Sequence, residues 1–197
     1  MIGKAGKFRI MGNAELFCHI EEAVKYNFCY FIPYITRKRK IEGRRKEKIT
    51  REGEWIRTTL SKDKVIRSLG YEKLNFNLMV KSKRFPLKAK VDMLVIRKDD
   101  YIPVFAKSVN FRDDYNWKLE IVGKVVLLEE FLNAEINKAL VFFLENREWV
   151  ELSIFPSEKR NFIQLANRMK ERPLKLKDKK CDSCELKDAC AVLPGWI

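Results

Sequence analysis

The sequence predicts an α/β domain, and the spacing of its apolar residues is the main evidence. Apolar residues recur with helical spacing in residues 13–32, 55–69 and 115–133, whereas KLNFNLMVK, residues 73–81, alternates apolar and polar side chains as a half-buried strand does. The predicted order is helix, helix, three strands, helix, two strands, helix. With 197 residues, 46% of them hydrophobic, the chain can bury one core and a small appended lobe.

The first element is predicted as a helix that Asn13 caps and that Pro33 ends. Its apolar positions are Leu16, Phe17, Ile20, Ala23, Val24 and Phe28. Cys18 and Cys29 both fall on this helix. Because they are about three turns apart, their thiols face roughly one way but stand on the order of 16 Å apart. Only one of them can therefore join a small metal cluster.

A second helix is predicted from Trp55 to Leu69, and Gly70 closes it because glycine is favoured just past a helix C-terminus. Three strands follow, in the segments KLNFNLMVK, PLKAKVDMLVIRK and YIPVFAKSV. Asp99 and Asp100 supply the turn between the last two strands.

The C-terminal half of the core is predicted to begin with a helix over residues 115–133, whose apolar face holds Leu119, Val122, Val126, Leu127 and Phe131. The segments KALVFFLE and WVELSIF are predicted as two further strands. A last helix covers residues 157–171. Pro173 and a lysine-rich linker then lead into a tail that contains three cysteines.

Charge indicates a polyanionic partner, with nucleic acid as the leading candidate. The chain has 41 Lys and Arg against 27 Asp and Glu, a formal net charge of +14 and a pI of about 9.6. One loop beside the aromatic residues Tyr30, Phe31 and Tyr34 concentrates this charge: Arg37, Lys38, Arg39, Lys40, Arg44, Arg45, Lys46 and Lys48. We expect it either to contact phosphates while the aromatic rings stack on unpaired bases, or to be a solvated loop.

The cysteines are expected to bind metal in a reducing compartment. The first residues lack the apolar core of a signal peptide, and no apolar run approaches the ~20 residues that span a bilayer, so we expect a cytoplasmic protein with no membrane partner. Cytoplasmic cysteines rarely form disulfides. Cys181, Cys184 and Cys190 have the pattern C-x2-C-x5-C, which supplies three metal ligands and needs a fourth. From these residues alone, zinc and an iron-sulfur cluster are both open.

Taken together, these features resemble the CRISPR-associated RecB-like exonucleases of the Cas-four family. The resemblance rests on CDSCELKDAC in the tail, on the strand pair KVDMLV and PVFAKSV, and on the basic and aromatic region after Cys29. It implies a PD-(D/E)xK core, a mixed sheet flanked by helices, over residues 55–172. Residues 1–54 and 173–197 would then form an iron-sulfur cap that joins the N-terminal helix to the C-terminal tail.

The resemblance also implies a ligand set for the cluster. A proline and a basic stretch follow Cys29, as they follow the family's first cysteine, so Cys29 becomes the expected fourth ligand of a 4Fe-4S cluster with the three tail cysteines. Cys18 is then expected to be a small core residue. The lone histidine, His19, is expected to be structural or solvated.

The nuclease motif of the family is only partly present. Asp92 matches the first metal-binding acid and Lys107 matches the catalytic lysine, but Phe105 stands where the second acid is expected. Arg57 stands where many members have a metal-binding histidine, and Lys124 follows Glu120 where the family has a tyrosine four residues after a glutamine. Mg2+ or Mn2+ requires acidic oxygens, so the site is expected to be degenerate.

Two functions follow from this motif, and both remain open at this stage. The first is a non-catalytic nucleic-acid-binding protein, acting with CRISPR adaptation proteins on DNA ends, in which Asp92 and Lys107 form an ion pair left in a cleft. The second is a metal-dependent exonuclease for single-stranded DNA, with Mg2+ or Mn2+ held by Asp92 and Glu120. A redox-sensing cluster is a weaker third idea.

Overall fold

The fold is described from a computed structural model, for residues 18–24, 55, 58–98, 100–107 and 115–168. Within these ranges the chain forms one mixed β-sheet with helices on both faces. The strands are β1 (Cys18–His19), β2 (Lys73–Lys81), β3 (Leu87–Arg97), β4 (Asp100–Lys107), β5 (Lys138–Phe143) and β6 (Glu148–Ser153). The helices are α1 (Ile20–Ala23), α2 (Lys64–Ser68), α3 (Tyr115–Leu132) and α4 (Pro156–Arg168), with a 3-10 helix at Leu60–Lys62.

The sheet runs β2-β3-β4-β5-β6, with antiparallel pairs except for β4 and β5, which are parallel. Two parallel neighbours need a crossover connection, and the segment that includes α3 provides it. The short β1 is also parallel to β3. Lys88 of β3 pairs with His19 on one side and Lys81 on the other, so β1 shares the β4 edge of β3. The predicted α/β class is therefore confirmed.

Apolar residues form one cluster on each face of the sheet. The larger cluster joins α1, α3 and α4 to the sheet, and Ile20, Val125 and Phe162 are buried in it. The smaller cluster joins the other face to α2 and the 3-10 helix, through residues such as Leu60 and Ile66. Both clusters draw on β4 and β5, so both faces of these two strands are covered, which explains their apolar runs IPVFA and ALVFF.

The helices α3 and α4 pack so closely that only glycine fits at their contact. A Cβ atom added at Gly123 would stand 2.4 Å from Cε2 of Phe162, whose ring is fully buried. This contact fixes α3 against α4, and α3 carries Glu120 and Lys124 of the candidate site.

The strands β3 and β4 separate at the point that becomes the candidate site. The pairing of β3 with β4 begins at Arg97 and Asp100 and ends at Met93 and Val104. From Val104 to Lys107, β4 pairs with β5. Opposite this point, Asn77 of β2 has a φ of 53°, a left-handed conformation that asparagine tolerates. The apolar side chains also change face here, because Val91 lies in the larger cluster and Met93 in the smaller one.

The predicted start of the first helix is wrong. Cys18 and His19 are extended and pair with Leu87 and Lys88, and the helix begins only at Ile20. The prediction that Cys18 lies on a helix with Cys29 is therefore incorrect for Cys18. Backbone hydrogen bonds to β3 decide this local structure, and helical spacing in the sequence cannot show them. Asn13 and Cys29 lie outside the described residues.

The second predicted helix is broken into short segments. Asp63 is extended, with φ −63° and ψ 146°, and its carboxylate accepts a hydrogen bond from the Val65 N–H at 2.8 Å. Asp63 is therefore the N-cap of α2, and its extended backbone interrupts the helix predicted from Trp55 to Leu69. Gly70 closes the segment as predicted, with a φ of 64° and its N–H donating to the Arg67 carbonyl.

The remaining elements confirm the prediction. The five predicted strands appear as β2 to β6: β2 has its predicted ends, the described ends of the others differ by at most two residues, and residues 108–109 of the predicted third strand lie outside the described ranges. Asp100 is the first residue of β4 rather than part of a turn. The long central helix ends at Leu132, one residue before its predicted end. The last helix begins at Pro156, one residue early, and its predicted residues after Arg168 lie outside the described ranges.

Candidate functional site

Asp92 lies in the gap between β3 and β4. Its Oδ2 accepts a hydrogen bond from the Ala106 N–H at 3.1 Å, which bridges the two strands where their pairing has stopped. Lys90 Nζ stands 3.9 Å from its Oδ1. Burial raises the pKa of Asp92, although Lys124, the Ala106 N–H and Lys90 all favour the charged form. This carboxylate is thus held by a backbone donor inside a positively charged environment.

Lys107, at the end of β4, forms an ion pair with Glu120 of α3. Both side chains are largely buried, with exposed fractions of 14% and 13%. Burial lowers the pKa of Lys107, and the neighbouring Glu120 only partly opposes that effect. The expected ion pair between Asp92 and Lys107 is therefore corrected: within the described residues, the salt-bridge partner of Lys107 is Glu120.

Lys124 is the centre of the cluster. It lies one turn after Glu120 on α3, and its Nζ stands 2.9 Å from Oε1 of Glu120 and 2.7 Å from Oε1 of Glu21. Only 7% of its side chain is exposed. Burial opposes its charge, but Glu120, Glu21 and Asp92 together raise the pKa of Lys124 above its ordinary value of 10.5. Lys124 therefore carries a buried ammonium ion that two carboxylates bind directly.

Glu21 of α1 is the residue of this cluster that sequence reasoning missed. Burial alone would raise its pKa, but the charge and hydrogen bond of Lys124, a backbone hydrogen bond and the charge of His19 together outweigh burial and hold the pKa of Glu21 at about 2. Its Oε2 is buried without a hydrogen bond among the described residues and stands 3.9 Å from Nδ1 of His19. Glu21 thus links the N-terminal helix to α3. The sequence offers no signal for it, because the contact joins residues about a hundred positions apart.

Phe105 occupies the position where the second acid was expected. Its side chain is fully buried in the larger apolar cluster, and Nζ of Lys124 stands 5.5 Å from the centroid of its ring. An ammonium at that distance is attracted to the face of an aromatic ring. Phe105 therefore supports the lysine rather than a metal ion.

The charges present do not fit a divalent cation. Mg2+ and Mn2+ require several oxygen ligands at close to 2 Å, whereas here an ammonium ion lies between two of the carboxylates and phenylalanine replaces the third. Over the described part of the chain, no group of three His, Cys, Asp or Glu residues is placed to hold a metal ion. The carboxylates instead contact lysines: Glu21 and Glu120 bind Lys124, Glu120 also binds Lys107, and Asp92 lies beside Lys90.

Several predicted site residues lie outside the described ranges. These are the four expected cluster ligands Cys29, Cys181, Cys184 and Cys190, the whole basic loop over residues 37–48, and Arg57. Their roles remain predictions. His19 is described, with 39% of its side chain exposed beside Glu21.

Fold and site together define an α/β protein whose mixed sheet carries a buried cluster of carboxylates and lysines at a split between two strands. No protein-family model matches the chain, and no curated protein matches it. Among solved structures, it is similar to one described as the crystal structure of SSO0001, with a TM-score of 0.51 and 10% identity over 93% of this chain and 88% of that one. At that identity the likeness shows a shared fold alone. The described helices include none with the length and apolar character of a membrane span.

Proposed function

We propose that this chain is a Cas-four-like nucleic-acid-binding protein whose nuclease-type site no longer holds a divalent cation. Its role would be in CRISPR adaptation or in the handling of DNA ends, together with other adaptation proteins. The mixed sheet, with Asp92 and Lys107 on the two strands that separate, supports a RecB-like core. The net charge of +14 supports a nucleic-acid partner.

The observation that carries the proposal is the ammonium of Lys124. It stands within 3 Å of carboxylate oxygens of Glu21 and Glu120, and it lies over the ring of Phe105. A divalent cation near Asp92 would meet this buried positive charge, and repulsion between like charges is strong where water is scarce. Because the Lys124 ammonium already neutralises these carboxylates, the site gains little from binding a metal ion.

The other parts of the proposal rest on the sequence. Cys29 and the three tail cysteines are proposed to hold a 4Fe-4S cluster, and the basic loop is proposed to contact single-stranded DNA or DNA ends. Three tail cysteines with a metal-binding pattern fit a reducing compartment, so we propose that the protein works in the cytoplasm.

The test is a cleavage assay on labelled single-stranded DNA with Mn2+, combined with a binding assay on the same oligonucleotide. Wild-type protein that contains its iron-sulfur cluster should bind the DNA and leave it intact. Asp92→Ala should change neither the binding nor the absence of cleavage. A protein that degrades the DNA with Mn2+ and loses that activity on Asp92→Ala would overturn the degenerate-site part of the proposal.

A matched pair of lysine variants tests the role of the ammonium itself. Lys124→Met removes a buried charge that two carboxylates bind, and Lys159→Met removes a buried charge whose Nζ contacts one carboxylate, Glu129, at 2.6 Å. Both should be destabilised by roughly 3–5 kcal/mol, as is usual when one partner of a buried pair is lost. Only Lys124→Met should then gain thermal stability from Mn2+. Equal responses of the two variants would show that Lys124 does not exclude the cation.

An active exonuclease is the second candidate, and one observation favours it. Glu120 and Asp92 belong to the same charged cluster, since both act on the pKa of Lys124. A metal ion that displaced the lysine would meet these two carboxylates. Mn2+-dependent cleavage that both Asp92→Ala and Glu120→Ala abolish would establish this function.

A further inference from the structure

The turn between β2 and β3 carries a second concentration of positive charge, separate from the predicted basic loop. Residues 81–90, here named the basic hairpin, contain five basic residues and no acidic one: Lys81, Lys83, Arg84, Lys88 and Lys90. Lys81, Lys83 and Arg84 are exposed, and Lys88 and Lys90 are partly exposed. Such a density of accessible charge creates a local positive potential that attracts polyanions.

Strand register places three of these lysines on one face. Lys81 is the direct cross-strand partner of Lys88, and Lys90 is the partner of Met79. Cross-strand partners point to the same side of a sheet, and so do residues two apart on one strand. The face therefore presents Lys81, Lys88 and Lys90 around Met79, which is 46% exposed.

The spacing of this face suits an extended nucleic-acid strand. Lys88 and Lys90 are separated by two residues of β-strand, roughly 7 Å, which is close to the separation of successive phosphates in an extended single strand. Lys81 and Lys88 lie directly opposite each other across the two strands, so one phosphate could contact both side chains. The exposed Met79 side chain offers an apolar contact for a base.

The turn of the hairpin is held rigid by Glu130 of α3. Its carboxylate accepts hydrogen bonds from the Ser82 hydroxyl and the Lys83 N–H, both at 2.6 Å, and lies 3.5 Å from Nε of Arg84. The Ser82 hydroxyl in turn accepts from the N–H groups of Arg84 and Phe85. Because the turn is already ordered, binding a strand costs little conformational entropy in the protein backbone.

The hairpin also leads to the candidate site. Nζ of Lys90 stands 3.9 Å from Oδ1 of Asp92, two residues further along β3. A single-stranded nucleic acid that follows the face of Lys81, Lys88 and Lys90 would therefore reach the gap between β3 and β4.

We infer that the basic hairpin binds the phosphate backbone of a single-stranded nucleic acid and guides it towards the gap at Asp92. The inference rests on the proposed function for the class of partner. It does not depend on the basic loop over residues 37–48.

The test compares two triple variants that remove the same charge from different faces. Lys81, Lys88 and Lys90 are changed to Gln in the first, and the control changes the exposed Lys62, Lys64 and Arg67 around α2 to Gln. Binding of a fluorescent single-stranded oligonucleotide is measured over a series of salt concentrations. The slope of log affinity against log salt should fall in magnitude by about 2 in the first variant, because each lost phosphate contact contributes about 0.7. The control should keep the wild-type slope.

A single variant separates binding from stability. Lys88→Glu places a carboxylate opposite Lys81, which should leave the melting temperature unchanged or raise it, since opposite charges across two strands are favourable. The same change should weaken oligonucleotide binding more than Lys88→Gln does. Binding then weakens without a loss of stability, which loss of fold cannot explain.

The outcomes distinguish this inference from the proposed function. Wild-type protein that does not bind the oligonucleotide would contradict the proposed function. Wild-type binding with equal slopes for the hairpin variant and the control would contradict the hairpin alone. Binding to anionic vesicles but not to the oligonucleotide, with the vesicle binding lost in the hairpin variant, would overturn the choice of partner.

Discussion

Replacing Glu21 by Gln should change how the stability of the protein depends on pH. The Glu21 carboxylate accepts from Nζ of Lys124 at 2.7 Å, and this buried contact holds its pKa at about 2, against an ordinary value of 4.5. Gln keeps the size of the side chain but has no charge to titrate. The substitution therefore removes one carboxyl from the acid titration of the folded protein.

The pKa difference sets the magnitude of the effect. A carboxyl whose pKa falls from 4.5 to about 2 on folding contributes roughly 3 kcal/mol to the free energy of unfolding at neutral pH. Because the folded pKa is the lower one, this contribution is fully present above the unfolded value and is lost as the pH falls through the folded value. The raised pKa of Lys124 acts at the other end of the scale, since its contribution is present below 10.5 and is lost only in strong alkali.

The assay is urea unfolding of wild-type protein and Glu21→Gln at neutral pH and at a pH below the folded pKa of Glu21. At neutral pH the variant should be less stable by roughly 3 kcal/mol, and in acid the two proteins should converge. Glu72→Gln, at an exposed position, serves as the control with the same change of charge. A constant difference between wild-type protein and Glu21→Gln at both pH values would refute the ion pair with Lys124.

Three further predictions follow from the packing and from the sequence. Gly123→Ala should destabilise the protein by about 1–2 kcal/mol in urea unfolding, because overpacking against the Phe162 ring exceeds the gain in helix propensity; Phe162→Leu in the same chain should recover part of the loss. Anaerobically purified protein should be brown, and Cys29→Ala should lose the colour and much of the stability while Cys18→Ala keeps both; stoichiometric zinc without iron would contradict this. The salt dependence of single-stranded DNA binding should weaken when four residues of the basic loop are changed to Ala, namely Arg37, Arg39, Arg44 and Arg45. An unchanged slope would mean that the loop is solvated and does not contact phosphates.

A second acid introduced at position 105 would be a poor test of the degenerate site. Phe105→Glu would restore a carboxylate near Asp92, but Phe105 is fully buried among apolar residues. A charge there loses its hydration, and the new carboxylate would pair first with the nearby Lys124. Lys124→Met is therefore more informative than Phe105→Glu, because it changes the charge near Asp92 and leaves the apolar core intact.

Strands and long helices could be predicted from the sequence because their own residues determine them. The alternation in residues 73–81 and the helical face of residues 115–132 depend on neighbours along the chain. β1 and the break at Asp63 could not be predicted in this way. The first depends on pairing with Leu87 across the fold, and the second on an aspartate whose capping role competes with a continuous helical pattern.

Only the residues of the candidate site that lie on the sheet and on the central helix were predicted from the sequence. Asp92, Lys107 and Glu120 were identified from a motif, and the structure brings Lys107 and Glu120 into contact. The central role of Lys124 and the presence of Glu21 depend on how α1 packs against α3. No periodicity in a single sequence encodes that packing, so the pairing of these charges had to come from the fold.

The parallel pairing of β1 with β3 has a consequence for the order of folding. Cys18 and His19 are made early during synthesis, but their partners Leu87 and Lys88 belong to a hairpin that forms much later in the chain. Contacts between residues far apart in sequence form slowly, because the intervening chain must first be brought together. We therefore expect the β2–β3 hairpin, with its local register, to form before the N-terminal segment docks onto its edge. The ion pair between Glu21 and Lys124 should then form late, because it needs both β1 in the sheet and α3 packed against it.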